Sequence, residues 1–398
     1  MDDIILIGVD GGASKVLAHS VEIGTDPLRF FPVKPIIEVS YNKQEKYSSK
    51  FKPVNLAQQL KDLKQGSVVP TKDEVEQGEA IIMAFKKTLT TILSIQNPGK
   101  KKIIIGVGMP GLKTPRKRGI SAMANGPRMP QFLTTLEKML VEDGFDNIEK
   151  IHALGSDADY CGYGERYGDQ GSIRECKNAY YLGIGSGVAD AILIDGENIP
   201  FDDIQTWIPK AWEMTYDETH SFENIISAKG IQQLYADKTD QTTEEIEAQE
   251  IYPWQIYEKA KDGDTIAIEV TELVAEGLAS LIYQRITALG VGDASVSLIS
   301  NNHEIVDQHP HVGKTFDKFV IGQRLGDIWG NLDFYPLLRN RVNILMSRKL
   351  IDGELPTRIR SAYLSGNNRF KEELIVHSEL RHAPALGAAV DAYLNWTK

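Results

Sequence analysis

The sequence predicts an α/β protein built from two related domains. Three observations carry that expectation. The chain has 398 residues, more than one hydrophobic core usually serves. Segments with strand character alternate with segments of helical spacing along the chain. An apolar strand, a glycine-rich turn and a second apolar strand occur twice, at 4–24 and 178–199, about 175 residues apart, as two related halves would place them.

The elements follow in order. "IILIGVD" reads as a buried strand and "KVLAHSVEI" as its hairpin partner. Residues 25–70 are rich in Lys, Pro and Ser and weakly patterned, and are expected to form strand and loop around an insertion. Residues 74–95 place Ile81, Ile82, Phe85, Leu89, Ile92 and Leu93 at helical spacing, with Thr71 as N-cap. "KKIIIGVGMPGL" (101–112) is a strand closed by a turn with Gly and Pro, and "MPQFLTTLEKMLVEDGF" a helix. "IEKIHALGSDADYCGYGERYG" reads as strand, turn and small-residue helix. Residues 200–265 are rich in Trp, Tyr and acidic side chains, and a long helix follows in "TIAIEVTELVAEGLASLIYQRITALG". "SVSLISNN" and "DKFVIGQRLG" are expected strands, and "HAPALGAAVDAYLNW" the last helix.

Composition narrows the function. Hydrophobic residues make up 42% and charged residues 25%, ordinary for a globular protein. The net charge of −11 argues against nucleic-acid binding, which needs a concentrated basic surface. It also means that a polyanionic ligand would need local N–H donors, lysines or a metal. No apolar run reaches the roughly 20 residues of a membrane helix, so no membrane partner is expected. The opening strand, with Asp2 and Asp3 beside it, lacks the basic flank and apolar stretch of a signal peptide. Cys161 and Cys176 are the only two cysteines and have no CxxC spacing, which suits reduced thiols and a cytoplasmic setting.

Two glycine-rich turns and one aspartate are the chemical candidates. In "IGVDGGASK", Gly11 and Gly12 permit φ > 0 and bare backbone N–H groups, Ser14 and Lys15 add a hydroxyl and a cation, and Asp10 could hold Mg²⁺ through water. An Asp-Gly hairpin with no ligand has the same look. In "LGIGSGVADAIL", Gly183, Gly185, Ser186 and Gly187 again cluster N–H groups between apolar strands. A strand follows this turn, so it is no dinucleotide fingerprint, and no GK[ST] ending marks a Walker loop. In "GSDADY", Asp157 stands where a carboxylate could take a proton from a substrate hydroxyl, and Ser156, Asp157 or Asp159 could equally cap a helix. Trp207 and Trp212 offer either a sugar platform or core packing. His220 lacks a second ligand at metal-binding spacing. Tyr160, Cys161, Tyr163 and Tyr167 read as packing of the helix that carries Asp157.

Together "IGVDGGASK", "IGVGMPGL", "GSDADYCGYGE", "YYLGIGSGVADAILIDG", "SFENIISAKGIQQLY" and "APALGAAVDAYL" resemble, in order, the ROK family of sugar kinases within the actin/hexokinase/Hsp70 superfamily. The match covers most of the chain and is weak at 25–100 and 235–320. The resemblance implies two ribonuclease-H-like domains, over 1–175 and 176–383, with an interdomain ATP cleft and with 384–398 as a helix packing back on the first domain. It implies ATP and Mg²⁺ as cofactors and a sugar or sugar-like polyol as acceptor. Asp10, Gly11, Gly12, Ser14 and Lys15 would form the first phosphate loop and Gly183, Gly185, Ser186 and Gly187 the second, with Gly322 and Gly326 near the adenosine turn. Asp157 would be the catalytic base, Asn125, Ser156 and Glu223 would face the acceptor, and a homodimer is expected.

The departures are specific. The family usually has Asn before the catalytic Asp, and here Ser156 stands there. Its Gly-Glu-x-Gly-His sugar and metal segment is replaced by "DDIQTWIPKAWEMTYDETH", and its cysteine-rich zinc site is missing. The phosphate machinery is thus expected intact while the usual hexose clamp is altered. The expected function is ATP-dependent phosphorylation of a sugar or polyol hydroxyl. The alternatives are a BadF-type ATPase, which would have to share two cysteines per chain between subunits, and a non-catalytic sugar-binding regulator. The regulator is disfavoured by a core strand expected to start at residue 4, leaving no room for a helix-turn-helix domain.

Overall fold

The computed structural model describes residues 4–66, 68–96, 99–293, 295–299, 305–306 and 308–398. The acidic pair Asp2 and Asp3, and the end of the "SVSLISNN" segment, lie outside the described residues. The chain divides into two compact units. Unit 1 runs to Gly171 and takes in His382–Lys398; unit 2 is Ser172–Arg381.

Unit 1 is organised on β1 (Ile4–Gly11), β2 (Lys15–Thr25), β3 (Leu28–Ser40), helices α1 (Leu56–Lys64) and α2 (Lys72–Gln96), β4 (Lys102–Gly108), the short β5 (Leu112–Lys113) and β6 (Ile120–Ala122), α3 (Phe132–Glu142), β7 (Leu154–Gly155) and α4 (Asp157–Tyr167). Its main sheet has the order β3-β2-β1-β4-β7, with the first three strands antiparallel and β4 and β7 parallel to β1. Ile7, Val9, Ile105, Val107, Phe85, Leu89 and Phe132 fill one core. The α2 start is a capping box: Glu74 N donates to Thr71 Oγ1 at 3.2 Å, and Thr71 N donates to Glu74 Oε2 at 2.8 Å.

Unit 2 repeats the plan with β8 (Ala179–Ile184), β9 (Val188–Ile194) and β10 (Glu197–Ile199), then α5 (Phe222–Ile226), α6 (Ala228–Lys238), α7 (Thr243–Ala248), α8 (Pro253–Lys261) and α9 (Thr265–Val291). It ends with β11 (Lys318–Gly322), α10 (Gln323–Gly330), α11 (Arg339–Asp352), α12 (Thr357–Tyr363) and β12 (Ile375–His377). The sheet order β10-β9-β8-β11-β12 matches that of unit 1 strand for strand, with the same parallel and antiparallel pairs. Both units therefore have the ribonuclease-H-like topology of actin-type ATPases, and the sequence echo at 178–199 is the second copy of the opening hairpin. The unit 2 core gathers around α9, where Val274, Leu278 and Ile282 are fully covered.

The last helix, α13 (Ala383–Trp396), belongs to unit 1 and lies on β1 and β4. Its backbone comes so close that a Cβ on Gly8 would strike the Ala385 carbonyl, and one on Gly106 the Ala388 carbonyl. Glycine in mid-strand here is the condition for docking the helix.

Several expected elements differ. Within the 25–70 stretch expected as strand and loop, residues 28–40 do form a thirteen-residue strand, but 56–64 form the helix α1. Residues 295–299 form no strand; Leu298 makes an isolated bridge to Met214. The strand expected before Asp157 is reduced to Leu154–Gly155.

Candidate functional site

Each unit carries its own set of site residues. In unit 1 the register places them at one sheet edge: Asp10 lies opposite Gly108, and Gly108 opposite Gly155. Asp10, Gly108 and Gly155 thus mark the carboxyl ends of parallel strands, where open α/β sheets bind ligands. Asp157 follows Gly155 by two residues as the first residue of α4. The cap of that helix is Ser156, whose Oγ accepts from Asp159 N at 3.5 Å, so capping does not fall to Asp157.

Asp10 and Asp157 feel one another. Burial and the Asp157 charge raise the Asp10 carboxyl to about 7. Asp10 Oδ1 is buried and has no hydrogen-bond partner among the described residues. An orphaned buried carboxylate oxygen beside a second carboxylate is the donor set a hard divalent cation takes, and Mg²⁺ needs only one or two such ligands besides water. Tyr41, which sequence reasoning did not single out, fixes the turn that follows. Its hydroxyl donates to Gly12 O at 3.1 Å and its backbone N–H to Ser14 O at 2.9 Å.

The turn itself closes by Gly12 N donating to Lys15 O at 2.9 Å. Gly11 and Gly12 do not have positive φ. Gly11 is required for another reason: a Cβ there would run into the Phe85 ring. The Lys15 ammonium sits 2.6 Å from Glu38 in an exposed ion pair.

Asn125 is exposed in a segment held from three sides. Arg128, buried, donates from Nε and NH2 to Glu74 at 2.8 and 2.7 Å and from NH1 to Asp62 at 2.9 Å. Gln59 of α1 exchanges two hydrogen bonds with the Met123 backbone, at 2.8 and 3.0 Å. Two of these anchors, Gln59 and Asp62, come from the stretch whose sequence was least patterned.

In unit 2 the turn Gly185-Ser186-Gly187 joins β8 to β9 and closes with Gly185 N on Gly187 O at 3.0 Å. The N–H groups of Ser186 and Gly187 have no hydrogen-bond partner among the described residues. Gly185 O accepts from Ala228 N, at the start of α6, at 2.8 Å. Glu223 Oε2 accepts from Val188 N at 2.8 Å, and burial raises the Glu223 pKa. Gly322 lies opposite Gly183 across β8 and β11, and Gly326 packs against the Ile321 carbonyl. The structure thus brings Gly183, Gly185, Ser186, Gly187, Glu223 and Gly322 together around one hairpin.

The altered stretch within 200–223 packs into unit 2. Trp207 is buried and stacks on His309 at 3.7 Å between ring centroids, which is core packing, whereas Trp212 is exposed. Asp190, buried on β9, accepts from Ala211 N at 2.8 Å and faces Tyr180 and Arg285, so it anchors the turn that carries Trp212. His220 hydrogen-bonds Asp217 at 3.0 Å on the surface. Among the described residues no group of three or more His, Cys, Asp or Glu side chains has the geometry of a metal site. Tyr160 is buried, with its hydroxyl 3.0 Å from Asp391 of α13. Tyr163 stacks on Tyr167, which confirms this aromatic group as packing of α4.

The duplicated fold is similar to that of solved ROK family proteins. No family model matches the chain and no curated protein matches it. Solved structures match over nearly its whole length. A ROK family glucokinase from Streptomyces griseus, in complex with glucose and AMPPNP, has 14% identity and a TM-score of 0.57, over 98% of this chain and 99% of that one. The ROK hexokinase from Thermus thermophilus gives 14% and 0.58, over 99% of each. A ROK family transcriptional regulator, a homolog of the E. coli MLC protein, gives 11% and 0.58, over 98% of this chain and 78% of that one. Among the described residues no helix is long and apolar enough to cross a membrane.

Proposed function

We propose that the protein is an ATP-dependent kinase that transfers the γ-phosphoryl group to a hydroxyl of a sugar or sugar-like polyol. The observation that supports this reading most is the pairing of Asp157 with Asp10 at the carboxyl ends of the unit 1 strands. Asp157 orients the acceptor hydroxyl and takes its proton as the oxygen attacks phosphorus. Asp10, Gly11, Gly12, Ser14 and Lys15 serve the donor's phosphates in unit 1, and Gly183, Gly185, Ser186 and Gly187 do so in unit 2. Gly322 and Gly326 lie on the adenosine side. Asn125, Ser156 and Glu223 face the acceptor.

Mg²⁺ would be held through water by Asp10, whose buried oxygen fits it, and would neutralise phosphate charge. We assign the working form to a cytoplasmic homodimer.

The test is ADP release with Mg²⁺-ATP across hexoses, amino sugars, anhydrosugars and inositols. A second reading, a non-catalytic sugar sensor, is favoured by one feature: the stretch that replaces the family's sugar and metal segment is packed by Trp207 and anchored by Asp190. Sugar binding with no transfer would select that reading.

A further inference from the structure

We propose that Gln323 is a donor-side positioning residue whose carboxamide hydrogen-bonds a phosphate of the bound nucleotide at the second hairpin. This rests on the kinase reading above and deepens it. Gln323 follows β11 at the junction with α10, and three observations meet there.

The first is its backbone. Gln323 has φ 61, in the left-handed region that disfavours every residue with a Cβ. The sequence places glycine on one side of it, Gly322, and another at Gly326, yet the strained position itself holds a glutamine. Strain of this kind persists where the side chain has a use.

The second is where the side chain lies. Its Nε2 is 3.1 Å from the point a Cβ on Gly183 would occupy, and a Cβ on Gly185 would collide with its Oε1. The two glycines of the hairpin, whose own φ angles are unexceptional, are what lets the amide lie down on the turn. The left-handed backbone and the bare hairpin fit together as one arrangement.

The third is that among the described residues the exposed amide has no hydrogen-bond partner, and neither do the Ser186 and Gly187 N–H groups of the turn beside it. A carboxamide offers two N–H donors without charge. It can turn its nitrogen to an anionic oxygen when a phosphate arrives. A carboxylate could not make that second contact.

The experiment is calorimetric titration of the full chain, as wild type, Q323G and Q323E, with Mg²⁺-ADP and with adenosine. Q323G is expected to melt at or above the wild-type temperature, because glycine accepts the backbone. It should bind ADP roughly tenfold more weakly, the value of one hydrogen bond to a charged group, with adenosine affinity unchanged. Q323E is expected to bind ADP more weakly still. Wild-type ADP affinity in both variants overturns the proposal, as does tighter binding by Q323G, which would make the amide a plug. An equal loss for adenosine also overturns it, by moving the contact to the nucleoside. If the wild-type protein binds no ADP, the kinase reading fails and takes this inference with it; the other outcomes leave that reading standing.

Discussion

Asp10 and Asp157 stand at the same edge of the unit 1 sheet, and the charge of Asp157 helps hold the Asp10 carboxyl at about 7. Two carboxylates so coupled are separable in role: one is tied to a strand end with a buried orphan oxygen, the other opens a helix. In the proposed reading the first serves cation and donor and the second takes the proton.

Asp157→Asn is expected to lower kcat by roughly 10²–10⁴, the range for losing a general base. The ADP dissociation constant should stay within about twofold. Single-turnover kinetics with parallel titration checks this; near-wild-type turnover removes Asp157 from the base role.

Asp10→Asn tests the raised pKa through stability. A carboxyl protonated in the folded state up to about 7, but ionised in the unfolded chain above about 4, contributes stability that is complete at low pH. That contribution is lost as pH rises toward about 7. The variant lacks the slope, so its melting temperature should pull ahead of wild type between pH 4 and 7 and keep a constant lead above. Mg²⁺ should stabilise the wild type at pH 8 more than the variant. Parallel melting curves across the whole range would show that Asp10 is not perturbed.

The clamp on the Asn125 segment should be a large stability term. Burial pushes the Glu74 carboxyl up, the Arg128 hydrogen bonds outweigh it, and the net shift is downward. Removing one partner leaves a buried charge alone, so Arg128→Ala or Glu74→Ala should cost roughly 3–5 kcal/mol in denaturant unfolding. Milder changes to the same segment, such as Asn125→Ala, should raise the acceptor KM without altering stability. Single clamp variants within about 0.5 kcal/mol of wild type would contradict the anchoring role.

Glu223→Gln keeps an oxygen for the Val188 N–H group and removes the charge whose burial raises the Glu223 pKa. The variant is expected to fold with wild-type or higher stability at pH 8 and to show a raised acceptor KM. Glu223→Ala, which loses the Val188 contact, should in addition lower the melting temperature. Unchanged acceptor kinetics in both variants would leave Glu223 a purely structural cap on the hairpin.

Much of this architecture is legible in the sequence because local chemistry specifies it. The apolar runs at 4–10 and 179–184 are buried strands, and the Thr71–Glu74 box and the Ser156 cap form as their residue types predict. Strand β3 is hidden for a physical reason. It is a sheet edge, so Pro32 and Pro35 are tolerated, and apolar Phe31 and Ile36 are exposed, so residue type does not alternate with burial. Helix α1 buries little and reads as polar, though Gln59 and Asp62 are anchors of the Asn125 segment. The Arg128–Glu74 pair spans 54 positions, beyond any local pattern. Gly11 and Gly185 are readable as turn glycines, but their cause is not: the Phe85 ring and the Gln323 amide, distant in sequence, exclude a Cβ there.

The central claim is phosphoryl transfer to a sugar-type hydroxyl with Asp157 as base. Its most direct test is coupled ADP release with Mg²⁺-ATP over the carbohydrate panel, run on wild type and Asp157→Asn together. The account expects at least one acceptor to raise ADP release well above the acceptor-free rate, with a phosphorylated product, and expects Asp157→Asn to abolish that increment. Acceptor-independent hydrolysis of the same size in every well, or an increment that survives in Asp157→Asn, would contradict it.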